Sequence, residues 1–248
     1  MGRDEKVTKA TGSELPPART AANRETPGSV QAMFASIAGR YDLANHLLSG
    51  GMDFFWRRRA SRLVKSWAPA RILDLATGSG DLALTLSMGC PDADMVAADF
   101  CLPMLAQASR KGLGNLVAAD GMALPFLDQS FDAVTIGFGL RNMASWRGAL
   151  GEAFRVLRPG GHVVVLDFAM PQGNPWRWVY RQYLHRVLPR IAACVTGQKS
   201  AYDYLGESIE KFPAGPQMKA LLGDVGFVEA DWEPLSGGIV GLYSGMRA

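Results

Sequence analysis

The residues with the clearest capacity for chemistry are a short glycine-containing turn and an acidic residue just before it. The turn is Thr77-Gly78-Ser79-Gly80; an apolar run carrying Asp74 precedes it, and an apolar-periodic segment beginning at Asp81 follows it. This order predicts a buried strand, a tight turn and a helix capped by Asp81. Glycine adopts positive φ and lets the backbone approach a ligand, while the first N–H groups of the helix point outward. A nucleotide fits such a turn.

Two further acidic positions follow short apolar segments. Asp99 ends the small apolar run 93–98, and Asp120-Gly121 follows residues 116–119. In an open α/β sheet the ligand crevice lies at the carboxyl ends of the strands, where a carboxylate can accept hydrogen bonds from both ribose hydroxyls. Asp99 is therefore predicted to hold a ribose, and Asp120 is placed to meet an adenine amino group.

The turn alone leaves several interpretations open. Gly78-x-Gly80-x-x-Ala83 followed by Asp99 also fits the dinucleotide-binding fingerprint. A strand-to-helix turn with no ligand fits it as well. A nicotinamide enzyme is disfavoured because the chain has no Tyr-x-x-x-Lys pair and its last segments predict antiparallel strands.

Composition limits the remaining classes. At 248 residues the chain is long enough for one α/β domain with an appendage, and a net charge of +3 does not by itself indicate nucleic acid. The three cysteines show no Cys-x-x-Cys pairing and no nearby histidine cluster, which argues against disulfides and against a metal site. With no signal peptide and no apolar run of about 20 residues, the sequence predicts a cytoplasmic protein; peripheral contact with the inner face of a membrane stays open.

The elements predict an α/β fold with a doubly wound, mostly parallel sheet. Residues 1–28 contain almost no large apolar side chain and predict a disordered tail, and residues 29–67 predict two helices. Five strands then alternate with helices, with a turn predicted at 158–161 directly before the fifth strand, 162–168. This alternation requires parallel pairing with right-handed crossovers. Residues 226–232 and 239–244 are joined by a connection too short for a crossover helix, so they predict an antiparallel hairpin.

Two helical segments combine arginine with aromatic residues. The second N-terminal helix carries Arg57 and Arg58 after an aromatic start, and the insertion 170–212 carries Arg177 and Arg181 opposite a predicted aromatic and aliphatic face. We interpret the aromatic face of the insertion as a lid over the crevice, or also as a surface that lies on a membrane carrying an apolar substrate. The arginine faces are interpreted either as solvated surfaces or as surfaces that meet phosphate or anionic lipid.

Five landmarks in chain order resemble class I S-adenosylmethionine-dependent methyltransferases. They are Asp74, Asp99, Asp120, the segment Pro125-Phe…Ser130-Phe-Asp132 and Arg155-Val-Leu-Arg-Pro-Gly-Gly161. Further motifs resemble the C-methyltransferase family of ubiquinone and menaquinone biosynthesis, over nearly all of residues 30–247. They are Met33-Phe-Ala-Ser-Ile-Ala-Gly-Arg-Tyr-Asp42, Asn45-x-Leu-Leu-Ser49, Gly137-Phe-Gly-Leu-Arg-Asn142, Val187-Leu-Pro-Arg-Ile191 and Tyr202-x-Tyr-Leu-x-Glu-Ser-Ile209. The resemblance implies a Rossmann-like methyltransferase domain over residues 29–248.

The resemblance also implies a cofactor, S-adenosylmethionine, with S-adenosylhomocysteine as its product. Carried onto this sequence, it predicts a binding site made of the glycine turn and the strand ends: Asp74, Gly78, Ser79, Gly80, Asp99, Phe100, Asp120, Gly121 and Gly137. The family usually has Gly-Gly-Thr-Gly or Cys-Gly-Thr-Gly in the turn, and Ser79 keeps the hydroxyl. It commonly has serine at position 137, where the glycine of this chain keeps only a backbone contact.

The substrate that the resemblance implies is a polyprenylated quinol methylated at a ring carbon. Loss of a hydroxyl proton spreads phenolate charge to the ortho and para carbons, so the enzyme must hold ring and methyl group close and stabilise the phenolate. Arg141 and Asn142, just past the fourth strand, are the predicted catalytic residues. Since a guanidinium stays protonated, Arg141 is predicted to stabilise charge while a water takes the proton, and Asn142 to orient a hydroxyl or that water.

Other functions stay open at this point. A methyltransferase for another phenol fits, and an RNA methyltransferase could use the cationic helix, although the chain has no Asn/Asp-Pro-Pro-Tyr motif and nucleic acid is a disfavoured partner. A non-catalytic cofactor-binding subunit of a quinone biosynthesis complex also fits. The sequence does not specify a benzenoid or naphthalenoid ring, a tail length, or a homodimer.

Overall fold

A mixed sheet forms the centre of the computed structural model, which describes residues 49–188 and 199–248. Its strands are β1 (Arg71–Leu75), β2 (Asp94–Asp99), β3 (Leu116–Ala118), β4 (Phe131–Gly137), β5 (Leu157–Phe168), β6 (Phe227–Leu235) and β7 (Val240–Arg247). The seven strands lie in the order β3-β2-β1-β4-β5-β7-β6. Strands β1 to β5 pair in parallel, whereas β7 pairs antiparallel with both β5 and β6. The predicted doubly wound sheet and its antiparallel hairpin are confirmed.

Helices cover both faces of this sheet. They are α1 (Met52–Lys65), α2 (Asp81–Gly89), α3 (Leu102–Arg110), α4 (Trp146–Val156), α5 (Asn174–Gln182), α6 (Lys199–Lys211) and α7 (Pro216–Val225). Short 3-10 turns span Leu140–Asn142 and Ser236–Gly238, and a π-helical turn spans Tyr183–Val187. The predicted tail, the first predicted N-terminal helix and Ile191 lie outside the described residues. Within the described part of the chain, no helix has the length and apolar character that crossing a membrane requires.

Alternate residues of β1 point into two different cores. Ile72 packs with Trp56 and Val64 of α1 on one face, and Leu73 packs with Leu150 of α4 and other residues on the opposite face. Burial on both faces explains why the parallel strands are nearly continuous apolar runs. The carboxyl ends of β1 to β5 therefore emerge together along one edge.

One local prediction is wrong, and one helix was not predicted. The stretch 158–161, predicted as a turn, lies inside β5, where the pairing with β4 shifts register between Phe131 and Ala133. A bulge of this kind accommodates extra residues without ending the strand, and Gly160 adopts a φ of 77° there. Helix α7 was not predicted from the sequence.

The aromatic face predicted for the insertion is narrower in the structure. Tyr180, Leu184 and Leu188 form a buried stripe that packs on Met170 and Ile209. The neighbouring apolar residues do not join it: Trp176, Trp178, Val179 and Val187 are exposed by 46%, 64%, 46% and 42%. A spacing of four residues places one narrow stripe on one side of a helix, and the other apolar side chains point to solvent.

Candidate active site

The glycine turn after β1 has the tight geometry that its sequence predicts. Thr77 N–H donates to the Ala98 carbonyl at 3.1 Å, and Gly80 N–H donates to the Thr77 carbonyl at 2.9 Å. Gly78 and Gly80 have φ of 57° and 88°. A Cβ on Gly80 would lie 2.4 Å from Leu113 Cδ1, so a larger residue fits neither the backbone angle nor the space. The turn is closed against β2.

Asp74 lies beneath this turn, fully buried. Its two carboxylate oxygens accept hydrogen bonds at 2.6 Å from the hydroxyls of Thr77 and Thr135. Burial raises the pKa of Asp74 to about 6, and the two hydroxyl hydrogen bonds oppose this rise. The carboxylate ties the turn to β4, so it shapes the predicted cofactor site from below.

Asp99, the predicted ribose anchor, ends β2 directly beside the turn. Its Oδ2 accepts a hydrogen bond from Gly78 N–H and its Oδ1 from Cys101 N–H, both at 2.8 Å. Burial raises the pKa of Asp99, and these backbone hydrogen bonds counteract the effect. Each carboxylate oxygen has a second lone pair. The side chain is thus held rigidly with acceptor capacity for ribose hydroxyls.

The other predicted cofactor residues continue along the same edge. Phe100 follows β2 and is 37% exposed, and Ser79 is buried in the turn. Beyond β3, Asp120 is exposed and its Oδ1 accepts a hydrogen bond from Met122 N–H at 2.9 Å. Gly121 follows it, and a Cβ there would lie 3.2 Å from Met143 Cε. The placement of the adenosine end of the cofactor across the ends of β2 and β3 stays a prediction.

Gly137 has a physical reason to differ from the serine common at this position. A Cβ on Gly137 would lie 2.7 Å from Leu82 Cδ2, the end of a side chain that packs beneath β4. A serine would therefore require Leu82 to adopt another rotamer. Glycine keeps the backbone of β4 close to the first turn of α2.

Replacing Asp99 with alanine is expected to weaken S-adenosylhomocysteine binding by about 1.5–3 kcal/mol, the range for hydrogen bonds to a charged group. Titration calorimetry measures the change. Asp92→Ala, an exposed carboxylate before β2, is the matched control and should leave the affinity unchanged. Equal affinity of wild type and Asp99→Ala would contradict the ribose assignment.

Arg141 lies in the 3-10 turn after β4 and forms a buried ion pair that the sequence did not reveal. Its Nη1 donates to Asp167 Oδ1 at 2.5 Å and to the Phe138 carbonyl at 2.6 Å. Its backbone N–H donates to Asp167 Oδ2 at 3.2 Å. Burial raises the pKa of Asp167, and the guanidinium opposes this rise. Two contacts to one carboxylate fix both the backbone and the side chain of Arg141.

The loop that carries Arg141 and Asn142 has an unusual backbone at its start. Phe138 adopts a φ of 58°, a conformation that bulky residues rarely adopt. Its N–H donates to the Leu166 carbonyl at 2.7 Å, and its own carbonyl lies 3.5 Å from Asn142 Nδ2. Such conformations cluster at functional sites, where surrounding contacts maintain them. The arrangement brings both predicted catalytic side chains to one carbonyl.

An aromatic cluster lies beside this loop. The Phe138 and Phe168 ring centres are 5.0 Å apart, and the Trp56 ring lies 6.0 Å from Phe168 and 6.1 Å from Phe138. The Arg141 guanidinium lies 5.3 Å from the centre of the Phe168 ring. This places a fixed cation against an apolar wall, the setting in which electrostatic interactions are strongest.

The sequence predicted the cofactor side of the site, with its acidic residues, better than the side formed by Arg141 and the aromatic cluster. The acidic residues at the ends of β1, β2 and β3 were found because each follows an apolar run. Asp167 follows the apolar run 163–166 in the same way, so the same signal could have identified it. Trp56 and Phe168 carried no local signal, since only the fold brings them together.

Solved structures resemble this fold at low sequence identity. An S-adenosylmethionine-dependent methyltransferase from Thermotoga maritima, described as a possible histamine N-methyltransferase, aligns with a TM-score of 0.63 at 14% identity, covering 88% of this chain and 100% of that one. Human N-acetylserotonin methyltransferase, solved with S-adenosylmethionine, aligns with a TM-score of 0.56 at 14% identity, covering 88% of this chain and 56% of that one. The fold is that of the class I S-adenosylmethionine-dependent methyltransferases.

Comparison of the amino-acid sequence with known proteins identifies the family. The profile of the ubiE/COQ5 methyltransferase family matches residues 20–247, and the chain belongs to that family. The demethylmenaquinone methyltransferase of Thermus thermophilus is 50% identical over 220 residues, 87% of this chain and 100% of that protein. That of Streptomyces avermitilis is 42% identical over 227 residues, 90% of this chain and 96% of that protein. The resemblance stated from the motifs is confirmed, and the chain is an S-adenosylmethionine-dependent methyltransferase.

Proposed function

We propose that the protein methylates a ring carbon of demethylmenaquinol, a polyprenylated naphthoquinol, in menaquinone biosynthesis. The observation that carries this proposal is the 50% identity to a demethylmenaquinone methyltransferase across the whole of that protein. It favours a naphthalenoid over a benzenoid ring among the substrates that the motifs left open.

The turn and the strand ends fit S-adenosylmethionine. Gly78 has open space beside it for a ligand, and Asp99 presents fixed acceptors next to it. When bound, the cofactor supplies an electrophilic methyl group on a sulfonium. Asp99 and the Asp120-Gly121 pair would hold its adenosine part. The residues past β4 are then available to bind the substrate.

Arg141 supports the reaction as a fixed positive charge. Asp167 holds its guanidinium against the aromatic cluster, so the cation is already oriented before a quinol arrives. Negative charge that develops on the ring oxygen is stabilised there, which makes the ring carbons nucleophilic. A water would take the hydroxyl proton, and attack by the ring carbon on the methyl group would break its bond to the sulfonium sulfur and leave S-adenosylhomocysteine; the ring carbon would then lose its own proton to solvent. Asn142 orients the hydroxyl or that water.

The quinone content of cells lacking this protein tests the proposal. We expect a demethylated naphthoquinone to accumulate and the wild-type gene to restore the methylated form. Arg141→Gln should fail to restore it, whereas Arg110→Gln, an exposed arginine at the end of α3, should succeed. Unchanged quinones, or a demethylated benzoquinone instead, would contradict the assignment.

Peripheral membrane contact is a second part of this proposal, because a polyprenyl substrate resides in the bilayer. Near the start of α1, Met52, Phe54 and Phe55 are exposed by 41%, 59% and 54%, and α5 carries the exposed Trp176 and Trp178. Both helices contact the turn Ser236–Gly238: Trp56 Nε1 donates to Ser236 Oγ at 2.8 Å, and a Cβ on Gly237 would lie 3.0 Å from Trp176 Nε1. The exposed aromatic residues thus flank one turn, as in interfacial helices.

The arginines of this surface differ from those predicted. Arg57 is buried, and Arg181 Nε donates to Glu210 at 2.6 Å, whereas Arg58 and Arg177 are exposed beside the aromatic residues. The prediction that Arg57 belongs to an exposed cationic face is wrong, because it occupies the buried side of α1. The homodimer and the cytoplasmic location stay predictions, for which light scattering and cell fractionation are the tests.

Binding to anionic liposomes is expected to fall as salt rises, since each basic residue near such a surface contributes about 1 kcal/mol and is screened over roughly a Debye length. The double variant Arg58→Glu/Arg177→Glu should float less with these liposomes at low salt and keep its affinity for S-adenosylhomocysteine. Arg110→Glu, a single charge reversal outside these helices, is the charge-matched control for the single variants Arg58→Glu and Arg177→Glu, which should each float less than it. Equal flotation with neutral lipid, or no flotation at low salt, would contradict the membrane contact.

A further inference from the structure

Arg57 is a buried cation held by carboxylates from two helices. Its Nη1 donates to the Asp53 carboxylate one turn earlier in α1, and its Nη2 lies 3.5 Å from Asp81 Oδ2 at the start of α2. Asp81 Oδ1 also accepts from Lys111 Nζ at 2.5 Å. The predicted helix cap at Asp81 is therefore wrong: Gly80 is the N-cap, and the Asp81 side chain makes ion pairs instead. A guanidinium has five N–H donors, and these contacts do not use them all.

This cation lies at the edge of the sheet that carries the cofactor turn. The Arg57 guanidinium is 5.8 Å from the centre of the Phe138 ring, just past β4. Its charge also lowers the pKa of Asp74 beneath the turn, against the larger effect of burial. Arg57 is thus close to the ends of both β1 and β4, the neighbouring strands between which the strand order reverses.

The strand order determines which part of the cofactor reaches Arg57. Asp120 follows β3, Asp99 ends β2, and the glycine turn follows β1. Adenosine held by Asp120 and Asp99 therefore leaves the methionyl end of the cofactor extending across β1 toward β4. That end carries an α-carboxylate, and a carboxylate removed from water needs a cation or several hydrogen bonds. Among the described residues, the buried arginines are Arg57 and Arg141. Arg141 pairs with Asp167 of β5, one strand farther along.

We propose that Arg57 binds the α-carboxylate of S-adenosylmethionine and S-adenosylhomocysteine. Asp53 and Asp81 hold its guanidinium at the crevice edge, and its planar fork matches a carboxylate through paired hydrogen bonds. The two buried arginines then have separate tasks: Arg57 faces the cofactor, and Arg141 faces the quinol. The inference rests on the use of S-adenosylmethionine and does not depend on the identity of the methyl acceptor.

The test compares two ligands that differ at the amino-acid end. S-adenosylhomocysteine carries the carboxylate, whereas 5′-methylthioadenosine keeps the adenosyl thioether and lacks the amino-acid group. Titration calorimetry of Arg57→Gln is expected to show about 10- to 100-fold weaker binding of S-adenosylhomocysteine. Binding of 5′-methylthioadenosine should stay within about twofold of wild type, since that ligand makes no contact with Arg57. Arg58→Gln, the exposed neighbour on α1, is the matched control and should change neither affinity.

Two results would overturn the proposal. Equally weaker binding of both ligands would mean that Arg57 only supports the structure of the site. Unchanged affinity for both ligands would mean that Arg57 does not contact the cofactor. Should Arg57→Gln fail to fold, Arg57→Lys provides the same comparison, because lysine keeps the charge but not the planar fork. The affinity for S-adenosylhomocysteine divided by that for 5′-methylthioadenosine should then be lower than in the wild type. An unchanged ratio in that variant would likewise overturn the proposal. The titrations contain no quinol, so failure to methylate demethylmenaquinol would contradict the proposed function without affecting this result.

Discussion

Replacing Arg141 with glutamine is expected to lower kcat for quinol methylation by about 10²- to 10³-fold, the cost of removing one preorganised stabiliser of developing charge. The guanidinium is fixed by Asp167 and packed against Phe168, so its field acts on the ring oxygen without reorganisation. Steady-state kinetics with S-adenosylmethionine and the quinol measure the effect. The loss should appear in kcat, because charge on the oxygen develops during the reaction.

Matched variants separate this role from a structural one. Arg141→Lys keeps a cation but not the fork and should recover part of the rate, while Arg110→Gln should match wild type. Affinity for S-adenosylhomocysteine should be unchanged in all three. A wild-type kcat in a folded Arg141→Gln protein would contradict the electrostatic role and leave Arg141 as a residue that only holds its loop.

Replacing Asp167 with alanine is expected to destabilise the protein by about 3–5 kcal/mol, because it leaves the buried charge of Arg141 without its partner. The two side chains are 0% and 5% exposed, so water screens the pair very little. Urea unfolding followed by circular dichroism measures the change. The same variant should lose activity, because Asp167 holds both the backbone N–H and the guanidinium of Arg141 in place.

A second substitution isolates the ion pair. Adding Arg141→Met to Asp167→Ala removes the uncompensated charge and should restore much of the lost stability, although not the activity. Exposed Asp224, which pairs with Arg147 at 2.7 Å on the surface, supplies the control: Asp224→Ala should cost under about 1 kcal/mol. Similar costs for Asp167→Ala and Asp224→Ala would contradict the importance assigned to the buried pair.

Local patterns predicted the residues that lie close to each other along the chain. The glycine turn and Asp99 could be located because a buried strand followed by a turn or an acidic residue has a direct sequence signature. The hairpin of β6 and β7 followed from a connection too short for a crossover. Each of these features depends on backbone conformation within about 30 residues.

Features that depend on contacts between distant segments were missed. Arg57 was predicted to be exposed because it lies in a run of arginines, but it occupies the buried side of α1. One of its carboxylate partners, Asp81, lies 24 positions later in the chain. The pair of Arg141 and Asp167 joins residues 26 positions apart on neighbouring strand ends. The spacing of Asp53 and Arg57 by four residues is a local pattern, but whether that face of α1 is buried depends on how the helix packs in the fold.

Carbon methylation of the naphthoquinol can be followed with the purified protein, demethylmenaquinol and isotope-labelled S-adenosylmethionine. We expect the labelled methyl group on a ring carbon of the naphthoquinol, located by nuclear magnetic resonance of the product. A labelled methyl ether on a ring oxygen would contradict carbon methylation. No transfer to demethylmenaquinol, with transfer to a demethylated benzoquinol under the same conditions, would contradict the proposed substrate.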